Sequence, residues 1–543
     1  MASVTTTAAS PASRPSHVAE VVDVVIVGAG AAGGIYAERL AARGLKVRVL
    51  EAGPERGLGD LISSSLHSRR LKWGGTPVRV EGEHPLAHNV STGDGTGGAA
   101  MHHYATWPRF HPDVFRMRSA HGRGLDWGLD YGELQPWYDR VQREVGVSGD
   151  AAREPWRGDG APYPMPPLRT FRHGDLLAEG FRRLGMPVAP MPLAINSQPY
   201  DGRPACLNDG WCDAGCPIGA LANPLFTYLG GALASGVGVT HRAAVTRVLT
   251  DQRGRARGVE YVVDGQRHEQ PAAAVVLAAS FIQNPRILLA SGESRRAGGG
   301  TNAGLANSSG LLGRYLTAEA MGFSYGLFDV ETEPWMGVNS GQYYARAGLR
   351  FPERPDLFGG VQWQIGPASK PSDIFGLAGT RPDLFGEPLH TFVRDASRHF
   401  AYMVGFASAE PDADNRIELD ASSRDAAGVP LARTLHRHPP ATLALWSWMN
   451  ERGLAVVRAA GARAAWAGQM AAGHVSGGTI MGSDPARSVC DNHGRTHDVP
   501  NLFIAGAGLF PQSGGTSPTF TLHAIALRSA EHLAERWRDY RRQ

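Results

Sequence analysis

The chain has 543 residues, 42% hydrophobic and 19% charged, a length that exceeds one ordinary core and suits a two-domain globular protein. Its 54 basic and 51 acidic side chains leave a formal net charge of +3, too even to select nucleic acid or an anionic membrane as partner. No apolar run approaches the roughly 20 residues that span a bilayer.

Residues 1–20 are rich in Ala, Ser, Thr and Pro, with one arginine, Arg14, no apolar h-region and no twin arginine. They read as a disordered tail, and the default location is cytoplasmic, with export as passenger of a signal-bearing partner left open. Residues 21–27 form an apolar, β-branched run that predicts a buried parallel strand. A helix is expected over 31–43, with Gly44 as its cap, and a second strand over 46–50 ending at Glu51. Between strand and helix stands Gly28-Ala29-Gly30-Ala31-Ala32-Gly33. In such a turn Gly28 bends the chain, Gly30 lets backbone N–H groups approach a pyrophosphate, and Gly33 lets helix pack on strand. Glu51 lies 23 residues after Gly28, where a carboxylate can bind ribose hydroxyls. This βαβ unit predicts a dinucleotide site without separating FAD from NAD.

Residues 58–98 read as a long glycine-rich connection over the cofactor, and 126–146 carry a helical period. Residues 151–167, dense in Pro and Gly, are a loop or lid candidate, and 171–184 a helix. Cys206, Cys212 and Cys216 fall within eleven residues, unlike an evenly spread disulfide framework. Three thiolates suit a [3Fe-4S] cluster; zinc, lacking a clear fourth ligand, and inert buried thiols are the alternatives. Cys490 stands apart. Strands are expected over 239–249, 256–263 and 274–277, a short helix over 284–291, and a mainly antiparallel sheet within 321–435. Helices follow over 440–465 and 520–537. Trp73, Trp107, Trp335, Trp363 and Tyr343 are candidates to stack on a ring, though core positions explain most of the 12 tryptophans more simply.

Near the C-terminus His474 sits in Gly473-His474-Val475-Ser476-Gly477-Gly478, followed by Gly506-Ala507-Gly508 and Ser517-Pro518-Thr519. A histidine beside a glycine-rich turn can offer a base to a flat ligand approached closely by backbone. Together with Leu50-Glu51-Ala52-Gly53-Pro54, the segment Gly97-Gly98-Ala99-Ala100-Met101-His102 and the run from Glu410 to Asp420, these stretches resemble the glucose-methanol-choline (GMC) oxidoreductases over most of the chain. Within that family the sequence looks closest to the sugar-oxidising branch of pyranose oxidases, glycoside 3-oxidases and the large subunits of glucose, gluconate and fructose dehydrogenases.

The resemblance implies an α/β chain with a Rossmann-like FAD domain assembled from 21–110, 195–320 and 466–543. A substrate domain with a six-stranded antiparallel sheet would come from 111–194 and 321–465. It implies that Gly28, Gly30, Ala31, Ala32, Gly33, Glu51, Ala52, Gly97, Gly98, His102, Gly506, Ala507, Ser517, Pro518 and Thr519 surround noncovalent FAD. His102 stands where pyranose oxidases bond the flavin covalently. His474 matches the family base, which takes a hydroxyl proton while hydride passes to flavin N5. Ser517 departs from the family's Asn or His; it serves as second active-site residue or simply as a helix N-terminal residue, and His523 reads as packing. The spacing of Cys206, Cys212 and Cys216 resembles the cluster segment of cytochrome-linked glucose dehydrogenases. The expectation is oxidation of a secondary hydroxyl of a sugar or glycoside to a keto-sugar, with O2, a quinone or a redox partner as acceptor. The alternative is the catalytic subunit of a dehydrogenase complex with a small subunit or cytochrome.

Overall fold

The computed structural model describes residues 17–72, 74–86, 93–292 and 304–542. Five parallel strands form one sheet in the order Gly238–Thr240, Val47–Leu50, Val22–Val27, Gln266–Leu277, Leu502–Ile504. The strand Val22–Val27 is almost wholly buried, as its unbroken apolar run requires. Gln266–Leu277 is long because it serves two partners. Its C-terminal half continues the parallel sheet, while its N-terminal half pairs antiparallel with Ala256–Val263, which pairs in turn with Ala244–Thr250. The helices Ala31–Ala42, Tyr131–Val145 and Thr519–Glu535 pack against one another beside this sheet and share its core.

The second sheet is antiparallel and six strands across. Its outer position is shared by Ala464–Ala467 and Ala471–Ser476; inward follow Thr317–Leu327, Phe400–Ala407, Gly359–Ile365, Tyr343–Leu349 and Ala189–Pro190. Side chains alternate across a strand. Ala320, Trp363, Ile365, Met403 and Ala407 therefore share one face, packed on the helices Arg172–Arg183 and Pro440–Ala459. Glu319, Gln362, Gln364 and Phe406 lie on the other face. A three-stranded ribbon of Arg416–Arg424, Pro430–Leu435 and Val78–Glu81 links the connection after the second strand to the rest.

Several elements differ from expectation. The predicted tail 1–20 ends in structure: His17–Val18 pairs with His268 and Glu269, capped by Ala19 N–H donating to Glu269 O at 3.1 Å. The single strand expected over 239–249 is two, because Arg242 adopts a left-handed φ of 53° and turns the chain between them. The helix expected to 465 ends at Ala459, and residues 464–467 cross over as a strand. Residues 151–167 are pinned rather than lid-like. The buried Arg109 guanidinium donates to Asp159 O at 3.2 Å and pairs with Asp139, and Gln142 donates to Ala161 O and Pro162 O. Among the described residues no helix is long and apolar enough to cross a membrane.

Candidate active site

A cavity of about 340 Å³ runs along the C-terminal edge of the parallel sheet. That is within the range of an ordinary small-ligand pocket, roughly 300–1,000 Å³, and it sits where open α/β sheets bind ligands. Gly28, Gly30, Ala31, Ala32, Glu51, Ala52, Gly98, Gly506, Ala507 and Thr519 line it, as do Asp94, His103 and Arg286. Gly28 needs its φ of 102°, and a Cβ there would meet Ala278 O at 2.6 Å. A Cβ on Gly33 would collide with Gly28 O, so this glycine serves packing and not the cavity. A Cβ on Gly30 or Gly506 would meet nothing within 4 Å. The backbone is thus left bare where a ligand must come closest, beside the N-terminus of Ala31–Ala42, which favours a phosphate.

Glu51 is buried at the end of its strand. One carboxylate oxygen accepts from Ala29 N–H at 2.8 Å, the other from Gly53 and Gly95 N–H at 2.9 and 2.8 Å. It thereby ties the glycine turn to the segment 93–98. Gly97 does not line the cavity; its N–H donates to Ala29 O at 2.9 Å and fixes the same junction. His102 is likewise absent from the wall, and its Nε2 is buried without a partner. Burial first, then the nearby Lys72 charge, pushes its pKa down to about 4, so the ring is neutral. His103, the next residue, is on the wall; its Nε2 meets Ala222 O at 3.1 Å and its Nδ1 is orphaned. The orphaned His103 Nδ1 and the bare glycines in one cavity fit a dinucleotide.

His474 lies on the edge strand Ala471–Ser476, not in the glycine turn that follows it. The strand is bulged: Thr317 pairs with Ser476 and Glu319 with Gly473, so His474 and Val475 oppose Ala318 alone. His474 takes up the extra residue with a φ of 48°, and such a bulge re-aims a side chain. The ring stacks on Phe406 at 4.5 Å between centroids. Its Nδ1 lies 2.7 Å from Glu319 Oε2, and Nε2 makes no hydrogen bond to the described residues. The ring keeps 22% of its side-chain surface open, whereas Glu319 keeps 1%. His474 is not itself on the cavity wall; two hydrogen bonds tie its surroundings toward that wall: Gly477 N–H donates to Ala507 O at 3.1 Å, and Glu319 Oε1 accepts from Thr516 N–H at 3.1 Å, three residues before Thr519.

Ser517 and Pro518 do not line the cavity but sit on the loop leading to Thr519. Ser517 is buried, and its hydroxyl accepts from Gln364 Nε2 at 3.1 Å, which leaves its own proton free to donate. The Thr516 hydroxyl donates to Gln362 Oε1, and Gln362 Nε2, fully buried, has no partner. Glu319 and the two glutamines were not named from sequence. The available signal was a lone acid and two amides inside strands that otherwise read as core.

The other candidates separate cleanly. His523 packs against Trp107 at 4.6 Å and its Nδ1 donates to Thr519 O at 2.8 Å. Trp107, Trp363 and Tyr343 are core; Trp335 is 46% exposed; Trp73 lies outside the described residues. Burial raises the Cys206 thiol to about 11 and Cys212 well above its ordinary value, with the neighbouring cysteines adding to both. Among the described residues no three His, Cys, Asp or Glu side chains converge as a metal-binding set. Cys490 is buried in the core of the parallel sheet.

Two family models, both described as GMC oxidoreductase, match residues 23–316 and 411–526. The chain is 30% identical to the fructose dehydrogenase large subunit of Gluconobacter japonicus, over 94% of this chain and 97% of that protein. It is also 30% identical to paromamine 6'-oxidase of Streptomyces fradiae, over 94% and 91%. Among solved structures, an FAD-dependent oxidoreductase from Chaetomium thermophilum superposes with a TM-score of 0.65 at 14% identity, covering 95% of this chain and 100% of that one, a likeness of fold.

Proposed function

The chain belongs to the GMC oxidoreductase family, enzymes acting on CH–OH groups, and on that premise we propose that it oxidises a secondary hydroxyl of a sugar or glycoside to a keto-sugar with FAD as cofactor. Support for the substrate class comes from the relatives named for fructose and paromamine. The observation that carries the reaction type is His474: a base turned out on a bulge, one nitrogen held by a carboxylate and the other unbonded, two connections away from the cavity wall.

Glu51, the Gly28–Gly33 turn and the start of Ala31–Ala42 would hold the adenosine and pyrophosphate, and Gly506, Ala507 and Thr519 the flavin end. When bound, the flavin supplies a hydride acceptor at N5. His474 Nε2 receives the substrate hydroxyl proton as the carbinol carbon gives up its hydride. The Ser517 hydroxyl, accepting from Gln364, donates to the substrate oxygen and steadies the charge that develops there. We propose that the FAD is held noncovalently, so acid precipitation should release all of the flavin. The test of the function is anaerobic bleaching of the bound flavin by a panel of sugars and glycosides; a panel that leaves the colour untouched rejects it.

A second reading, a subunit of an electron-transfer dehydrogenase, is favoured by the likeness to a protein named as a large subunit. A [3Fe-4S] cluster at Cys206, Cys212 and Cys216 gains no support from their arrangement, since among the described residues no three such side chains converge. Iron analysis of the purified protein decides between this reading and transfer of electrons to O2.

A further inference from the structure

We infer that Glu319 is a positioning residue that sets the tautomer of His474 and locks the base to the loop carrying Ser517. This rests on the proposed role of His474. Glu319 comes from the middle strand of its neighbourhood, Thr317–Leu327, and is buried with both oxygens engaged from opposite sides. Oε2 meets His474 Nδ1 at 2.7 Å, and Oε1 accepts the Thr516 N–H at 3.1 Å. An ionised carboxylate can only accept, so Nδ1 carries the proton, and in the neutral ring Nε2 presents its lone pair. Phe406 closes the ring from one face, and Thr516 is itself fixed by its hydroxyl on Gln362.

One acid therefore decides two things. It selects the basic nitrogen, and it holds that nitrogen in register with the hydroxyl of Ser517, the residue next to its second contact, Thr516. When the substrate proton moves to Nε2, the new imidazolium faces a carboxylate already in place, and no reorganisation is needed. The bulge at His474 supplies the geometry: without the extra residue the ring would follow the strand's regular alternation and lose this partner.

The test compares Glu319→Gln and Glu319→Asp holoenzymes with wild type, reading anaerobic flavin reduction by an oxidised sugar across pH. Glu319→Gln should slow reduction by about 10- to 100-fold, short of the 10²–10⁴ carried by a general base itself, and move the acidic limb of the profile to lower pH. Glu319→Asp should recover part of the rate. An unchanged rate, or a slower rate with an unmoved profile and no recovery in the aspartate variant, overturns the inference. Should Glu319→Gln fail to fold, the proton spectrum of wild-type holoenzyme takes its place. A far-downfield imidazole proton lost in His474→Asn is expected, and its absence overturns the inference. His474→Ala in the same assay separates the claims: a normal rate there removes the base assignment, whereas a slow His474→Ala beside a normal Glu319→Gln removes only the role of Glu319.

Discussion

Glu51→Gln is nearly isosteric, so its effect isolates the chemistry of one carboxylate. In the structure that carboxylate accepts three backbone N–H groups, from Ala29, Gly53 and Gly95. An amide keeps one acceptor oxygen. If it retains Gly53 and Gly95, its NH2 faces the Ala29 N–H, and a buried donor goes unmet. A bond to a charged group contributes about 1.5–3 kcal/mol, and an orphaned buried donor costs about 1–3 kcal/mol, overlapping quantities that together suggest about 2–4 kcal/mol. Spread over an unfolding entropy of about 2.1 cal/mol/K per residue for 543 residues, this lowers the apoprotein melting point by about 2–3.5 °C. The FAD complex should lose more, because the same carboxylate would bind the ribose, and linkage converts each tenfold loss of affinity into about 1.4 kcal/mol. Scanning calorimetry of apoprotein and holoenzyme, with an FAD titration, measures both. Equal drops in the two forms, with unchanged FAD affinity, would refute the assignment of Glu51 to the cofactor.

Ser517→Ala should slow flavin reduction by about tenfold or more and, by stranding the Gln364 amide, cost about 1–3 kcal/mol of stability; stopped-flow reduction at the wild-type rate takes Ser517 out of the mechanism. Stability should also fall on acidification. Burial, chiefly, pushes His436 and His438 down to about 4 and about 3, while in the unfolded chain they titrate near 6.5. Between about pH 6.5 and 4 the unfolded chain binds protons that the fold refuses, so each histidine contributes a loss of about 1.4 kcal/mol per pH unit, absent above pH 6.5. Denaturation of His438→Gln across that range should show a slope shallower by about one proton, and an identical slope contradicts the assignment.

The end of the cavity at the glycine turn was legible because its demands are local. A turn that must bare its backbone shows as Gly28 and Gly30, and an acid that must meet that turn shows as Glu51 at the end of the next strand. The strand Ala256–Val263 matches the expected 256–263 for the same reason: pattern and turn signals lie within a few residues. The substrate side depends on contacts far apart in sequence. Glu319 meets His474 across 155 residues, and Gln364 meets Ser517 across 153, so neither pair leaves a local mark. His474 was singled out from sequence, but not its bulge, which arises only when Ala471–Ser476 docks against Thr317–Leu327. Pro and Gly density made 151–167 read as a lid, because the buried Arg109 that fastens it lies outside the segment.

Anaerobic stopped-flow reduction of His474→Ala tests the central claim most directly. The variant should bind FAD fully, keep its yellow colour, and be reduced by an oxidised sugar about 10²–10⁴ times more slowly than wild type. Reduction within a few-fold of wild type contradicts the account.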